Sequence, residues 1–393
     1  MSTPFQIAKK ISFQKQKSDT RFIVRLSIGA TAISVAAIIL TLSIVNGFQQ
    51  SISQKVYNFW GHVRIASVSG APLNDSASFF FNLPYIQKAT PFIHQSMVIA
   101  YGQDIEGVVA RGIPSSTEIP FLVKGKGLNE ANSDSLIHKI IISEALASKL
   151  KIPLDSTIKL YALTGSDLRQ RKMKVVGFYH SGIEEYDRQF VMIDIHQLQN
   201  FQANKNNIEG YSLYVKDLNR IEQANNELQK TIPKNWVATK IVDYYPQIFD
   251  WIGVQTINRN VTITILLIIA IVNLITCLLI LMLERVHMIG TLTAMGANHN
   301  FIRKIFLFQA SFITWIGIGL GLLIGLGLSW LQMKTDFITL NESAYFIKVL
   351  PIQINPIQIL YLIIGTAFTS YFSFLIPTLW IQHISPAKAI RFD

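Results

Sequence analysis

The densest group of residues able to do chemistry lies at 180–188, HSGIEEYDR, which brings His180, Glu184, Glu185 and Asp187 close together in the chain. An imidazole and three carboxylates could ligate a metal or move protons, provided that ligands of suitable type converge on one point. Here they straddle what reads as a hairpin turn between the strand-like runs MKVVGFY and QFVMID, and a solvated turn is the expectation. The other signatures of chemistry are missing. KGKG at 124–127 has neither the spacing nor the Lys-Ser/Thr ending of a phosphate cradle, and there is no G-x-S-x-G elbow and no H-E-x-x-H pair. The single cysteine, Cys277, has no second cysteine to pair with. No catalytic set, metal site or cofactor site is expected.

The elements around these residues explain why. Half of the 393 residues are hydrophobic and only 15% are charged, against roughly a quarter charged in ordinary soluble proteins. Asp, Glu, Lys and Arg are absent from 26–54, 260–283, 305–333 and 349–387. A bilayer-spanning helix needs about 20 apolar residues, so each run holds one. The expected spans are 24–48, 261–283, 305–331 and 357–381. The first run is too long for a signal peptide and continues into SIVNGFQQS instead of a small-residue cleavage site. The spans carry no ionisable group of the kind that binds ions in coupled transporters. A bundle of this sort must be driven from outside itself.

Basic residues set the expected orientation. Six lie in 1–25 against Asp19 alone. Segment 284–304 carries Arg285, Arg303 and Lys304 against Glu284, and the tail carries Lys388 and Arg391 against Asp393. These segments supply most of the net charge of +11, so the basic balance marks the inner side and gives no reason to invoke nucleic acid. The layout is an amphipathic N-terminal segment (1–23) on the cytoplasmic face, an outer domain (49–260) between spans one and two, an inner loop (284–304), an outer loop (332–356) and an inner tail (382–393).

The outer segment alternates strand candidates (HVRIAS, SMVIAY, EGVVARG, HKIIIS, STIKLYA, MKVVGFY, QFVMID, YSLYV, WVATKI) with helices. SEALASKL is capped by Ser143, IHQLQNF by Asp194, and LNRIEQANNELQKTI follows Asp217. One α+β domain is expected, held by its core without disulfides, with a stalk near 243–259 leading into the second span. Gly317, Gly321 and Gly325 recur every four residues in the third span. Such a stripe admits a neighbouring helix closely, in this or a second subunit. SIGATAISVAA in the first span offers a similar small-residue face.

The inner loop raises its own question. Between Arg285 and Met295 the apolar residues fall at Val286, Ile289, Leu292 and Met295, a helical stripe of i, i+3 steps. Gly296 is a natural helix stop and Asn298 a natural cap for the next helix. A short helix lying along the inner face is predicted.

These runs together resemble the LolC/LolE-type lipoprotein-releasing permeases. LSIVNGFQQSI with GHVRI, IIISEALASKL with STIKLYA, and KVVGFYHSGIEEYDRQFVMIDI carry the likeness to that branch. The ER…IG…AMGA…IRKIF loop and the ending ISPAKAIRFD carry it to the wider superfamily of MacB and FtsX. The resemblance covers nearly the whole chain, in order. In the loop, Met288 stands where the superfamily usually has an acid and Thr293 where it has a base. The loop that such permeases extend towards a carrier corresponds to only about Leu163–Lys172.

The resemblance implies a non-catalytic permease subunit of an ATP-binding cassette complex in the cell inner membrane, with both termini cytoplasmic. Its implied partners are a separate ATPase, a second permease subunit (the same chain or a related one), a lipoprotein substrate and a periplasmic lipoprotein carrier. ATPase coupling would fall on Glu284, Arg285, Ile289, Leu292, Met295 and Gly296. A lateral substrate entrance at the outer ends of the first two spans would be lined by Asn46, Phe48, Ile248, Trp251 and Ile252. The alternatives within the superfamily are a MacB-like efflux or mechanotransmission subunit and an FtsX-like scaffold that controls cell-wall hydrolases.

Overall fold

A computed structural model describes residues 18–68, 80, 83–129, 138–164, 167–201 and 208–379. The N-terminal segment before Ser18 and the tail 382–393 lie outside the described residues. In chain order the elements are α1 (Ser18–Trp60), β1 (Val63–Ser67), β2 (Ile86–Tyr101), β3 (Asp104–Ile113), β4 (Leu122–Gly125), β5 (Lys139–Ser143), α2 (Glu144–Lys149), β6 (Thr157–Thr164) and β7 (Asp167–Tyr179). Next come α3 (Glu184–Gln189), β8 (Phe190–Asp194), α4 (Ile195–Gln199), β9 (Gly210–Val215), α5 (Ile221–Thr231), β10 (Trp236–Lys240) and α6 (Ile241–Tyr244). The chain ends with α7 (Pro246–Glu284), α8 (Val286–Ala294), α9 (His299–Thr335), α10 (Glu342–Tyr345) and α11 (Pro356–Leu379). Four of these, α1, α7, α9 and α11, are long and apolar enough to cross a membrane.

Two compact units divide the chain. An outer unit comprises 50–251 with 340–348, and a membrane unit comprises the remainder. Among the described residues of the outer unit, ten strands form one sheet, in the order β10-β1-β9-β2-β3-β8-β5-β7-β4 with β6 off this path. The 16-residue β2 serves twice. Its first half pairs with β9 and its second with β3, while β6 bridges β2 to β7. The circuit β2-β3-β8-β5-β7-β6 is thereby closed, and β10 and β4 remain as the terminal strands of the sheet.

Packing on both faces explains the strand sequences. In β5 the run Ile140–Ile141–Ile142 is wholly buried. Ile140 and Ile142 enter one hydrophobic core with Val191, Ile193 and Leu160, and Ile141 enters a second with Met192, Tyr179 and Phe59. A strand covered on both faces reads as an unbroken apolar run, and each Ile so buried contributes ~1.5–3 kcal/mol. The helix caps follow the sequence. Ser143 accepts from the Leu146 amide, and Asp194 accepts from the amides of His196 and Gln197.

The second core also holds the last turns of α1 (Val56, Phe59, Trp60) and the first of α7 (Ile248, Phe249). The expected stalk is the start of α7 itself.

Candidate functional site

The inner loop forms α8, and its ending follows the residues. The Gly296 amide donates to Thr293 and the Ala297 amide to Leu292, with Gly296 at φ +88°. This is the double-bonded helix stop that glycine in a left-handed conformation permits. Asn298 accepts from the Asn300 amide and opens α9.

The residues expected to meet the ATPase differ in exposure. Ile289 is only 1% exposed and packs with Leu274, Leu278, Ile302 and Phe306, and Leu292 is half-buried against the same cluster. The chain's own helices occupy most of the i, i+3 stripe. Periodicity locates an apolar face but does not say which body covers it. The side left open runs through Leu283, His287, Thr291 and Met295, at steps of four, with Met295 79% exposed. Glu284 and Gly296 are also exposed, and Arg285 is partly so.

The glycine stripe is filled from within the chain. A Cβ on Gly317 would stand 2.8 Å from Thr31 Cβ, one on Gly321 2.7 Å from Val35 Cβ and 2.8 Å from the Ala32 carbonyl, and one on Gly325 3.0 Å from Ile39 Cβ. Third and first spans therefore pack at backbone distance, against the small-residue run foreseen in the first span. Gly319 and Gly327, on the same helix, have nothing near them.

At the outer end of the membrane unit, Asn46 sits in a polar triangle. Its amide nitrogen donates to Gln358 Oε1 at 2.6 Å, and its oxygen accepts from Arg259 at 3.1 Å. Gln49 donates to Thr256 Oγ1 at 2.6 Å and to the Ile252 carbonyl at 3.2 Å. Gly47 is required where Pro351 passes, since a Cβ would lie 2.4 Å from the Pro351 carbonyl oxygen. Of the five expected entrance residues, Asn46 and Phe48 are half-buried in the membrane unit, and Ile252 is 8% exposed there. Ile248 packs on the second core of the outer unit, and the Trp251 ring meets Phe346 edge-on at 6.1 Å. The sequence pattern missed Arg259 and Gln358, although Arg259 directly precedes the second apolar run.

The 180–188 segment is also corrected, because it is not a solvated turn. Residues 184–189 form α3, whose Tyr186 and Asp187 are buried. Asp187, 2% exposed, accepts from the amides of Ser181 (2.9 Å) and Gly182 (3.3 Å) and faces His180 Nδ1 at 3.2 Å. His180 Nε2 meets Glu342 Oε1 at 2.7 Å. Among the described residues, no group of three or more His, Cys, Asp or Glu is arranged to hold a metal.

Nearby, Arg111 is buried beneath three rings, with its guanidinium carbon 4.7 Å from Trp60, 5.0 Å from Phe59 and 5.9 Å from Phe92. It donates to the Phe59 carbonyl, and burial pulls its proton affinity down. A charge at an inward position of EGVVARG was the available signal for this residue.

The family described as MacB-like periplasmic core domain matches residues 26–231, and the FtsX-like permease C-terminal family matches 260–386. The chain is 21% identical to the lipoprotein-releasing system transmembrane protein LolC of Xylella fastidiosa (strain Temecula1) and 23% identical to that of Haemophilus influenzae, each over 100% of both chains. It is 22% identical to the Haemophilus influenzae LolE over 99% of both. Among solved structures, the periplasmic region of MacB from Actinobacillus actinomycetemcomitans aligns at 16% identity. That alignment covers 48% of this chain and 92% of the other, with a TM-score of 0.36.

Proposed function

Because this chain belongs to the MacB/FtsX superfamily of permeases, as a member of LolC/LolE type, we propose that it is the membrane subunit of an ATP-binding cassette complex that releases lipoproteins from the inner membrane. The observation that carries this reading is the end-to-end match with proteins named for lipoprotein release, covering spans and outer domain in one order. ATP would be hydrolysed by a separate subunit, and this chain would turn that work into motion of its spans and outer unit. A second permease subunit, the same or related, would complete the membrane path. A periplasmic carrier would take up the acylated product.

The basic segments support an orientation with both termini and α8 in the cytoplasm and the outer unit in the periplasm. In that orientation the ATPase meets α8 on its open side, through His287, Thr291 and Met295, with Leu283 and Glu284 at the end of α7 adjoining. Ile289 and Leu292 act behind that surface by fastening α8 to α7 and α9, so movement of α8 is passed to two spans. The polar triangle of Asn46, Arg259 and Gln358 joins three spans at their outer ends, where a lipid-modified substrate would enter sideways.

Depletion of the protein in its native cell tests the reading. Acylated lipoproteins should accumulate in the inner membrane. Unchanged lipoprotein sorting, with loss of drug efflux or of septal cell-wall hydrolysis instead, would overturn it.

A further inference from the structure

Residues 340–348 connect the third and fourth spans in the chain, yet they belong to the outer unit. Two charged groups hold them there. Lys55, on the outer continuation of α1, donates to the Phe346 carbonyl at 2.6 Å. Glu342 stands 3.9 Å from Lys55 Nζ and 2.7 Å from His180 Nε2. The other imidazole nitrogen of His180 faces buried Asp187 at 3.2 Å, and the His180 amide donates to the Phe121 carbonyl. Gly182 makes room for Lys55, because a Cβ there would meet its Nζ at 1.8 Å. The segment closes on itself through Leu340 N to Lys348 O at 2.9 Å and Phe346 N to Glu342 O at 2.8 Å.

The chemistry of His180 follows from having a carboxylate at each nitrogen. A neutral imidazole carries one N–H and one lone pair, so it can donate to Asp187 or to Glu342 but not to both. At the remaining position two lone pairs would confront each other. The imidazolium donates to both carboxylates in charge-assisted bonds. Facing it are Asp187 from α3, Glu342 from α10 and, beyond Glu342, the opposing cation Lys55 from α1.

We propose that His180 is a proton-dependent clasp. Protonated, it fastens the segment between the third and fourth spans to the outer unit through Glu342, and on losing its proton it releases that hold. Docking and protonation favour each other, so the clasp tightens with acid. It loosens as the pH rises, and Lys55 holds the segment separately through the Phe346 carbonyl. The clasp rests on the orientation proposed above only for which compartment's pH it senses. Its physical test needs no transport.

The test is hydrogen exchange of the peptide covering 340–348 in the full chain, reconstituted in nanodiscs of phosphatidylethanolamine and phosphatidylglycerol. Exchange is read at about pH 5.5 and about pH 8.5 and corrected for intrinsic rates. The wild type should be about tenfold better protected at the acid end. His180→Gln and Glu342→Gln should lose that difference and exchange as the wild type does at the alkaline end, with β5 and β8 peptides unchanged. Should His180→Gln disturb β5 or β8, Glu342→Gln carries the test alone, because Glu342 is about a third exposed and outside both cores. Wild-type protection independent of pH, or a pH dependence that survives in Glu342→Gln, would overturn the clasp.

Discussion

In the membrane unit the groups that decide how helices meet are small or neutral. Gly317, Gly321 and Gly325 let α9 approach α1, and amides tie the outer ends, Asn46 to Gln358 and Gln332 to the carbonyls of Ile338 and Leu350. In the outer unit the same task falls to charged and titratable side chains. Arg111 lies under aromatic rings, Asp187 is buried among amides, and Glu209 is shared by Arg64 and His94. The difference follows from the solvent. A helix surrounded by hydrocarbon gains nothing by burying apolar surface against another, so close backbone contact and neutral hydrogen bonds do the joining. A domain in water has the hydrophobic effect for its core and can spend some of it on a few paired charges that fix register. Four perturbations probe this contrast.

The largest effect is expected at Asp187. Replacement by Ala removes the acceptor of the buried Ser181 and Gly182 amides, and an unsatisfied buried donor costs about 1–3 kcal/mol. Asp187→Ala should therefore destabilise the outer unit by roughly 3–5 kcal/mol in all, counting the lost charge partner of His180. Denaturant unfolding followed by tryptophan fluorescence measures it, since Trp60 lies in the adjoining core. A loss below about 1 kcal/mol would show that buried charge does not organise this unit.

His62 gives the next effect, through pH. Its Nδ1 accepts from the Val215 amide at 2.8 Å, and burial pushes its pKa down to about 4. The unfolded chain takes up this proton near pH 6.5 and the folded one only near 4. The unfolded state thus binds more protons between those values, and stability falls as the pH is lowered through that window. About 3 kcal/mol of outer-unit stability should disappear between roughly pH 6.5 and 4. His62→Gln should flatten that part of the profile. The His180 clasp has the opposite sign, because it strengthens with acid while the domain around it weakens.

How much of this was legible depends on the same contrast. The spans could be read from missing charges, and α8 with its Gly296 stop and Asn298 cap from local rules. The glycine stripe and a similar small-residue face in the first span were visible, but not that the two pack together. Ile289 was harder, because a helical stripe looks the same whether lipid, a partner or the chain's own helices cover it. Asp187 and Glu342 were harder still. They meet through His180 from positions more than 150 residues apart, and nothing local in NESAYFIK says that a loop between spans docks on a distant domain. The closed circuit of strands depends on β2 pairing with three others, which its alternating pattern does not reveal.

A third perturbation addresses close approach in the membrane unit. Gly321→Leu puts a side chain where a bare Cβ already lies 2.8 Å from the Ala32 carbonyl, whereas Gly319→Leu meets nothing. Overpacking of this kind costs about 1–3 kcal/mol. Thermal unfolding in mild detergent should show a loss for Gly321→Leu and none for Gly319→Leu, with both proteins inserted normally. Equal behaviour of the two would reduce the stripe to composition.

The smallest effect on stability, and the most informative about coupling, is expected on α8. Met295 is 79% exposed and Leu292 faces the chain's own core, so aspartate should have different consequences at the two sites. Leu292→Asp buries an unpaired charge and should destabilise the membrane unit whether or not an ATPase is present. Met295→Asp meets only solvent and should leave stability within about 0.5 kcal/mol of wild type. If α8 meets the ATPase on its open side, Met295→Asp should still lower ATPase co-purification and lipoprotein release. A double variant, His287→Asp with Met295→Asp, should lower them further, since both residues lie on that side. Full ATPase recovery with the double variant would move the contact off this face. The remaining role of α8 would then be the internal one that Ile289 fulfils, as a brace between the second and third spans.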